Sequence, residues 1–206
     1  MFYQDFTKTT DEIARELLGY RLVHETAEGV ASGWIVEVEA YLGAEDKGAH
    51  TYNGHRTPRV EAMYMDAGHF YIYQIRGHHS INFVTQPAGV GQGVLIRALE
   101  PDDGIDLMHA RRGGQTGYNL TNGPGKLCQA LAIDKTHYGT PATQCPLYID
   151  FSRKRKAHTI ETSPRIGLST KAQEWQQAPL RFTVQGNPWT SHFKGKPAEN
   201  NGWLSQ

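Results

Sequence analysis

Residues 31–50 read ASGWIVEVEAYLGAEDKGAH, a long alternating stretch that runs without a break into a charged loop. In an extended chain successive side chains point to opposite faces. Trp34, Val36, Val38 and Ala40 therefore share one side, and Ile35, Glu37, Glu39 and Tyr41 share the other. The first side is a core face. The second admits two readings. Glutamates on an antiparallel strand most often stand in water. A carboxylate in a cleft beside an aromatic ring would instead be desolvated, and its pKa would rise toward the range of a general base.

Working outward, Thr9 followed by Glu12 predicts a capping box that opens a helix with Ile13, Leu17 and Leu18 on its apolar face and Gly19 as its stop. RLVHE (21–25) predicts a short strand ahead of the long one. Past the long strand, residues 43–60 form a polar loop with Asn53-Gly54 and Thr57-Pro58 as turn signals. Loops of that length in compact domains are more often functional than idle. Further strands are predicted at HFYIYQI (69–75), SINFVTQ (80–86), VLIRALE (94–100), PLYIDF (146–151) and LRFTVQG (180–186). Helices are predicted over DDGIDLMHARRG (102–113), capped by Asp102 or Asp103, and KLCQALAI (126–133). There is no βαβ alternation, no repeat and no linker that divides the chain. The expected fold is one α+β domain over residues 1–206, on a mostly antiparallel, curved β-sheet with scattered helices.

The composition, 20% charged and 38% apolar, is that of a globular chain rather than a disordered one. No apolar run is long enough to cross a bilayer, and the N-terminus lacks the core of an export signal, so a cytoplasmic protein is expected. Cys128 and Cys145 are too few for a disulfide framework. Lys plus Arg equals Asp plus Glu, which counts mildly against nucleic acid as a partner. The basic run Arg153 to Lys156 reads on its own as a solvated loop. Tyr64, Phe70, Tyr71 and Tyr73 are ordinary strand residues, so core packing is their default role. His50, His55, His69, His78 and His79 show no zinc-enzyme spacing, and no metal site is assigned. TNGPGKLCQ (121–129) is not a nucleotide P-loop. Its glycines could offer N–H groups to a backbone phosphate, or it is a helix entry stiffened by Pro124.

Taken in order, VEVEAYLG, RTPR, MYM, FYIY, VLIRALEP, GPGKLCQALAI, SPRIG, PLRF and GNPW resemble the alkyladenine (3-methyladenine) DNA glycosylase family. The resemblance runs from residue 10 to about residue 190. It implies a monofunctional enzyme without metal or redox cofactor, a monomer associated with the nucleoid, that removes damaged purines from double-stranded DNA by base flipping. Glu39 would be the general base that activates a water, with Arg97 and the main-chain carbonyl of Ile166 holding that water. Tyr41 would stack on the extruded base, His50 and Tyr73 would form the opposite wall, and Asn82 would reject the amino group of guanine. Gly125 and Lys126 would meet the DNA backbone.

One departure stands out. The family's wedge tyrosine is replaced by Arg76 in QIRGHHSIN, and the segment is one residue shorter before Asn82. Arg76, or Ile75 or His78 in its stead, would fill the gap left by the flipped nucleotide. The altered wedge keeps open a non-catalytic sensor of damaged DNA, and the histidines keep open a metal-dependent hydrolase.

Overall fold

Thr9 opens the first helix as its spacing predicts: the Glu12 carboxylate accepts the Thr9 amide at 2.8 Å, and α1 runs Thr10–Leu17. Ile13, Ala14 and Leu17 turn inward from it onto the sheet. The computed structural model describes residues 1–205. Its strands are β1 (Tyr20–Thr26), β2 (Gly29–Tyr41), β3 (Phe70–Ile75), β4 (His78–Val84), β5 (Gly93–Pro101), β6 (Leu147–Lys154), β7 (Ile160–Ser163) and β8 (Arg181–Val184). Two further helices are α2 (Ile105–Arg111) and α3 (Pro124–Ala130). No described helix is long and apolar enough to cross a membrane.

The strands form one sheet in the order β3-β4-β5-β2-β1-β6, with β8 joining β2 and carrying β7 on its far side. Every named pair is antiparallel, so the expected α+β fold on an antiparallel sheet is the one found. β2 is its axis. One edge pairs with β5 along most of its length, while the other is shared, β1 taking Gly29–Trp34 and β8 taking Glu37–Glu39. The β2–β5 register slips by one residue at Glu37 and recovers at Val38.

One apolar cluster, which includes Ile13, Ile35, Val38, Phe83, Leu99 and Phe182, forms the main core. Burying a side chain of that size contributes roughly 1.5–3 kcal/mol relative to leaving it in water. A smaller cluster of Val60, Met63, Tyr64, Tyr71 and Val84 lies under the segment that follows the 43–60 loop.

Three expectations are corrected. β2 has no wet face, since Glu37 and Glu39 are both 0% exposed. α2 is capped by Gly104, whose φ of +73° and close approach to the Val30 carbonyl suit a residue without Cβ. Asp102 and Asp103 pair with Arg21 instead. The basic run is largely exposed as expected, but it begins as strand rather than loop, because Arg153 and Lys154 close β6. Arg153 and Arg155 lie over the Trp34 ring, Lys154 over Tyr20, and Arg155 also pairs with Glu100 at 2.8 Å.

Candidate functional site

A cleft of about 290 Å³ opens where β2, β3, β4 and β5 meet the loop after β7, and Tyr41, His50, Tyr73, Asn82, Arg97 and Ile166 all line it. Six residues that are scattered over the sequence thus share one wall system. Glu39 lies directly behind them. Its Oε2 accepts the Tyr41 hydroxyl at 2.9 Å, and its Oε1 accepts the Ile166 amide at 2.7 Å and faces Arg97 Nη1 at 3.3 Å. A larger depression, about 660 Å³, lies along the outer edge of β3 between Arg59, Lys135 and Tyr138. It shares Tyr73 with the cleft, but the groups bonded to Glu39, namely Tyr41, Arg97 and Ile166, line the smaller cleft and not this one, so the smaller cleft holds the chemistry.

The alternation of β2 brings Glu37, Glu39 and Tyr41 to one face, as the spacing predicts. Their environments then diverge. Glu37 Oε1 accepts the Nε–H groups of both Arg97 (3.0 Å) and Arg181 (2.7 Å), and its Oε2 accepts the Ser191 amide at 2.6 Å. Burial pushes the Glu37 carboxyl up, but the two guanidiniums and the amide outweigh it and hold the group below the ordinary glutamate value. Burial also pushes Glu39 up, and there Arg97, the Ile166 amide and the Tyr41 hydroxyl do not offset it, so its pKa stays raised. Two carboxylates two residues apart are separated in strength, the usual mark of different tasks.

Tyr41 forms one wall. Arg165 covers one face of its ring, 4.6 Å from the centroid, which leaves the other face to the cleft. Arg165 is held in turn by Asp46, at 2.5 and 2.8 Å, and by the Ala40 carbonyl, all buried. The facing wall is His50 and Tyr73, edge to face at 4.6 Å. His50 Nδ1 lies 2.8 Å from the Tyr71 hydroxyl. Burial, helped by the nearby Arg59 and His55 charges, pushes the His50 pKa down and favours the neutral ring. Asn82 stands across from Tyr71 on β4 and donates Nδ2–H to its carbonyl at 3.2 Å.

At the rim, β3 and β4 are joined by the two residues Arg76-Gly77, both at positive φ (+49° and +82°), the conformation that suits a tight hairpin. Ile75, just before the turn, lines the cleft and is 53% exposed; Arg76 stands at the tip and does not line it. Pro124 at the start of α3 closes another side. Gly125 faces His78, and a Cβ there would come within 2.9 Å of the His78 Cβ. Lys126 Nζ donates to the side-chain oxygens of Asn119 and Asn122, with no carboxylate partner among the described residues.

Comparison with known proteins fits this geometry. The family model for methylpurine-DNA glycosylase matches residues 4–188. The chain belongs to the methylpurine-DNA glycosylase family. It is 46% identical over 202 residues to a protein of Lactiplantibacillus plantarum, covering 97% of this chain and 96% of that one. It is 48% identical over 187 residues to one of Staphylococcus carnosus, covering 91% and 90%. An Enterococcus faecalis protein is 47% identical over 202 residues, covering 97% and 88%. All three carry a provisional 3-methyladenine DNA glycosylase name. As a member of this family the chain is a DNA glycosylase, an enzyme of base excision repair whose substrate is DNA.

Several site residues carried no readable signal. Asp46 and Ser191 hold the walls or the arginines, yet nothing in their local sequence marks them, and Glu37 and Arg165, though inside motif blocks, have no role that the blocks assign. Tyr71 alternates with Tyr73, so the strand period places both on one face. Its default reading as core is correct, and it also holds His50. Among the described residues no three His, Cys, Asp or Glu side chains converge as metal ligands.

Proposed function

We propose that this glycosylase hydrolyses the N-glycosidic bond of alkylated or deaminated purines, 3-methyladenine and hypoxanthine among them, in double-stranded DNA. A base inside the stack is out of reach of a buried carboxylate. The damaged nucleotide therefore turns out of the duplex into the cleft, at a cost of about a few kcal/mol. Stacking against Tyr41 on one side and His50 and Tyr73 on the other returns roughly 1–3 kcal/mol per base. Purines alkylated at N3 or N7 carry positive charge, which an aromatic face attracts and which makes them good leaving groups.

Glu39 then takes a proton from a water held by Arg97 and the Ile166 carbonyl. The water oxygen bonds to C1′ of the sugar as the bond to the purine nitrogen breaks. The electron pair leaves with the base, giving a free purine and an abasic sugar. Asn82 screens out normal guanine through its amino group. Ile75, which is both exposed and at the mouth of the cleft, is better placed than Arg76 to fill the gap left in the stack. Gly125 and Lys126 lie toward the phosphates.

The observation that carries this reading is the Glu39 carboxylate, 0% exposed and held by three donors behind an aromatic cleft. The test is base release from duplexes that contain hypoxanthine or 3-methyladenine, without added metal. Glu39→Gln should lower the single-turnover rate by about 10²–10⁴-fold while lesion-bearing DNA still binds. Base release by that variant at the wild-type rate would sink the mechanism.

A further inference from the structure

Glu37 has no task in the hydrolysis described above, yet it is as deeply buried as Glu39 and more fully bonded. Its carboxylate collects one donor from β5 (Arg97), one from β8 (Arg181) and one from the segment beyond β8 (Ser191). The β2–β5 register breaks locally at this residue, so its side chain does not follow the ladder on either side. A guanidinium is a rigid plane with its donors in a fixed fork. Anchoring Arg97 by Nε at Glu37 therefore sets where Nη1 points, and Nη1 is the nitrogen that faces Glu39 at 3.3 Å. The buried group comprises two carboxylates and two guanidiniums, so its formal charge balances.

We infer that Glu37 is a positioning residue of the reaction: it fixes Arg97 by one edge, turns the other edge to Glu39 and the cleft, and takes up part of the arginine's charge. This rests on Glu39 acting as the general base. The alternative role is that of an ordinary buried ion cluster that only holds β2, β5 and β8 together. The two differ in what they do to the base. The charged or titratable groups that face Glu39 are Arg97 from β5, Arg181 from β8, Tyr73 from β3, Tyr41 and Glu37 from its own strand, and Arg165 behind the Tyr41 ring. Replacing Glu37 by neutral Gln removes a like charge from beside Glu39 and leaves the Arg97 charge to act on Glu39 undivided. Both changes favour the ionised form and weaken the base. Removing the Arg181 charge while Glu37 stays acts in the opposite direction.

The experiment is single-turnover base release from a hypoxanthine duplex across pH, with lesion-DNA affinity and thermal unfolding measured on the same proteins. In E37Q the plateau rate should fall by about tenfold or more, within the range general-base catalysis supplies, and the acidic limb should move to lower pH. In R181Q the limb should move to higher pH. Affinity for the lesion duplex should change by less than about twofold in E37Q, since no group that touches the base has been altered. In an R97Q background E37Q should cost clearly less than in the wild-type background, because the part of its effect that passes through Arg97 is already gone and only the direct like-charge effect on Glu39 remains.

A wild-type rate and limb in E37Q would overturn the inference, as would an equal loss in the R97Q background. A loss of rate that tracks unfolding with an unmoved limb would do so too. If E37Q does not fold, R181Q decides alone, and a limb that stays or moves to lower pH overturns it. If instead E39Q keeps the wild-type rate, the general-base reading itself fails, an outcome separate from all of these.

Discussion

The Tyr41 hydroxyl donates to Glu39 Oε2 across 2.9 Å, so one wall of the cleft and the buried carboxylate form a single unit. The bond favours the ionised carboxylate and opposes the burial that raises its pKa. Tyr41→Phe keeps the ring and removes the bond. The Glu39 pKa should then rise further, so the acidic limb of the pH–rate profile moves to higher pH, because the base is active only when ionised. Affinity for lesion DNA should hardly change. Tyr41→Leu also removes the stacking face and should weaken lesion binding by roughly 1–3 kcal/mol. Rate profiles and DNA titrations of both variants check this, and a limb that moves to lower pH in the Phe variant refutes it.

The hairpin tip separates two candidates for the stack-filling role. Ile75 offers an exposed apolar side chain at the mouth, whereas Arg76 offers a cation beyond it. Ile75→Ala should slow release from a fully paired duplex by about tenfold, a share of the unstacking energy, and have little effect where the lesion is already unpaired. Arg76→Ala should chiefly weaken the affinity for any duplex. Rates on paired and bulged substrates distinguish the two, and the reverse pattern would return the wedge to Arg76.

Asp46 and Arg165 are both fully buried and bonded by two oxygens to two nitrogens, so neither can lose its partner cheaply. Asp46 also accepts the Leu42 and Gly48 amides, which ties the start of the 43–60 loop to the back of Tyr41. Asp46→Asn leaves a buried guanidinium without its counter-ion, a change that costs about 3–5 kcal/mol. The midpoint of thermal unfolding should fall by about 2–4 °C for each kcal/mol in a chain of this size. Calorimetry measures it. A shift below about 2 °C, less than 1 kcal/mol on that scale, would mean that the pair adds nothing to folding.

The fold was largely legible because local signals agreed with it. Thr9 and Glu12 cap α1 as spaced, and the alternation of residues 31–42 gives the central strand. What local pattern cannot tell is which second face is dry. Glu37 and Glu39 look like wet-face residues because the groups that bury them come from afar: Arg97 lies 60 residues on and Arg181 lies 144 residues on. The four residues of β7 went unread because they are too short and polar to show a period, and only the pairing with β8 makes them a strand. Asp102 and Asp103 had the right chemistry for a helix cap, but Arg21 on β1, 82 residues before Asp103, claims them. The site residues came from ordered motif blocks rather than from any single one. Asp46, which acts through its ion pair with Arg165, and Ser191, which acts through its main-chain amide, had no such block to mark them.

The cations divide by partner, and this fixes where salt should act. Among the described residues Lys126 is held by the neutral oxygens of Asn119 and Asn122, beside the Pro124 edge of the cleft. Arg153 lies over Trp34 at the β6 end of the sheet, on the face of β2 away from Glu39. A lysine that neutralises one phosphate contributes about 0.9 to the slope of log affinity against log salt. Lys126→Ala should therefore reduce that slope by about 0.9. Arg153→Ala should leave it unchanged, although the net charge falls by the same amount in both variants. Titrating an abasic-site duplex with each protein at several salt concentrations makes the comparison. Equal slopes for the two variants would mean that net charge, rather than a placed phosphate contact, governs binding.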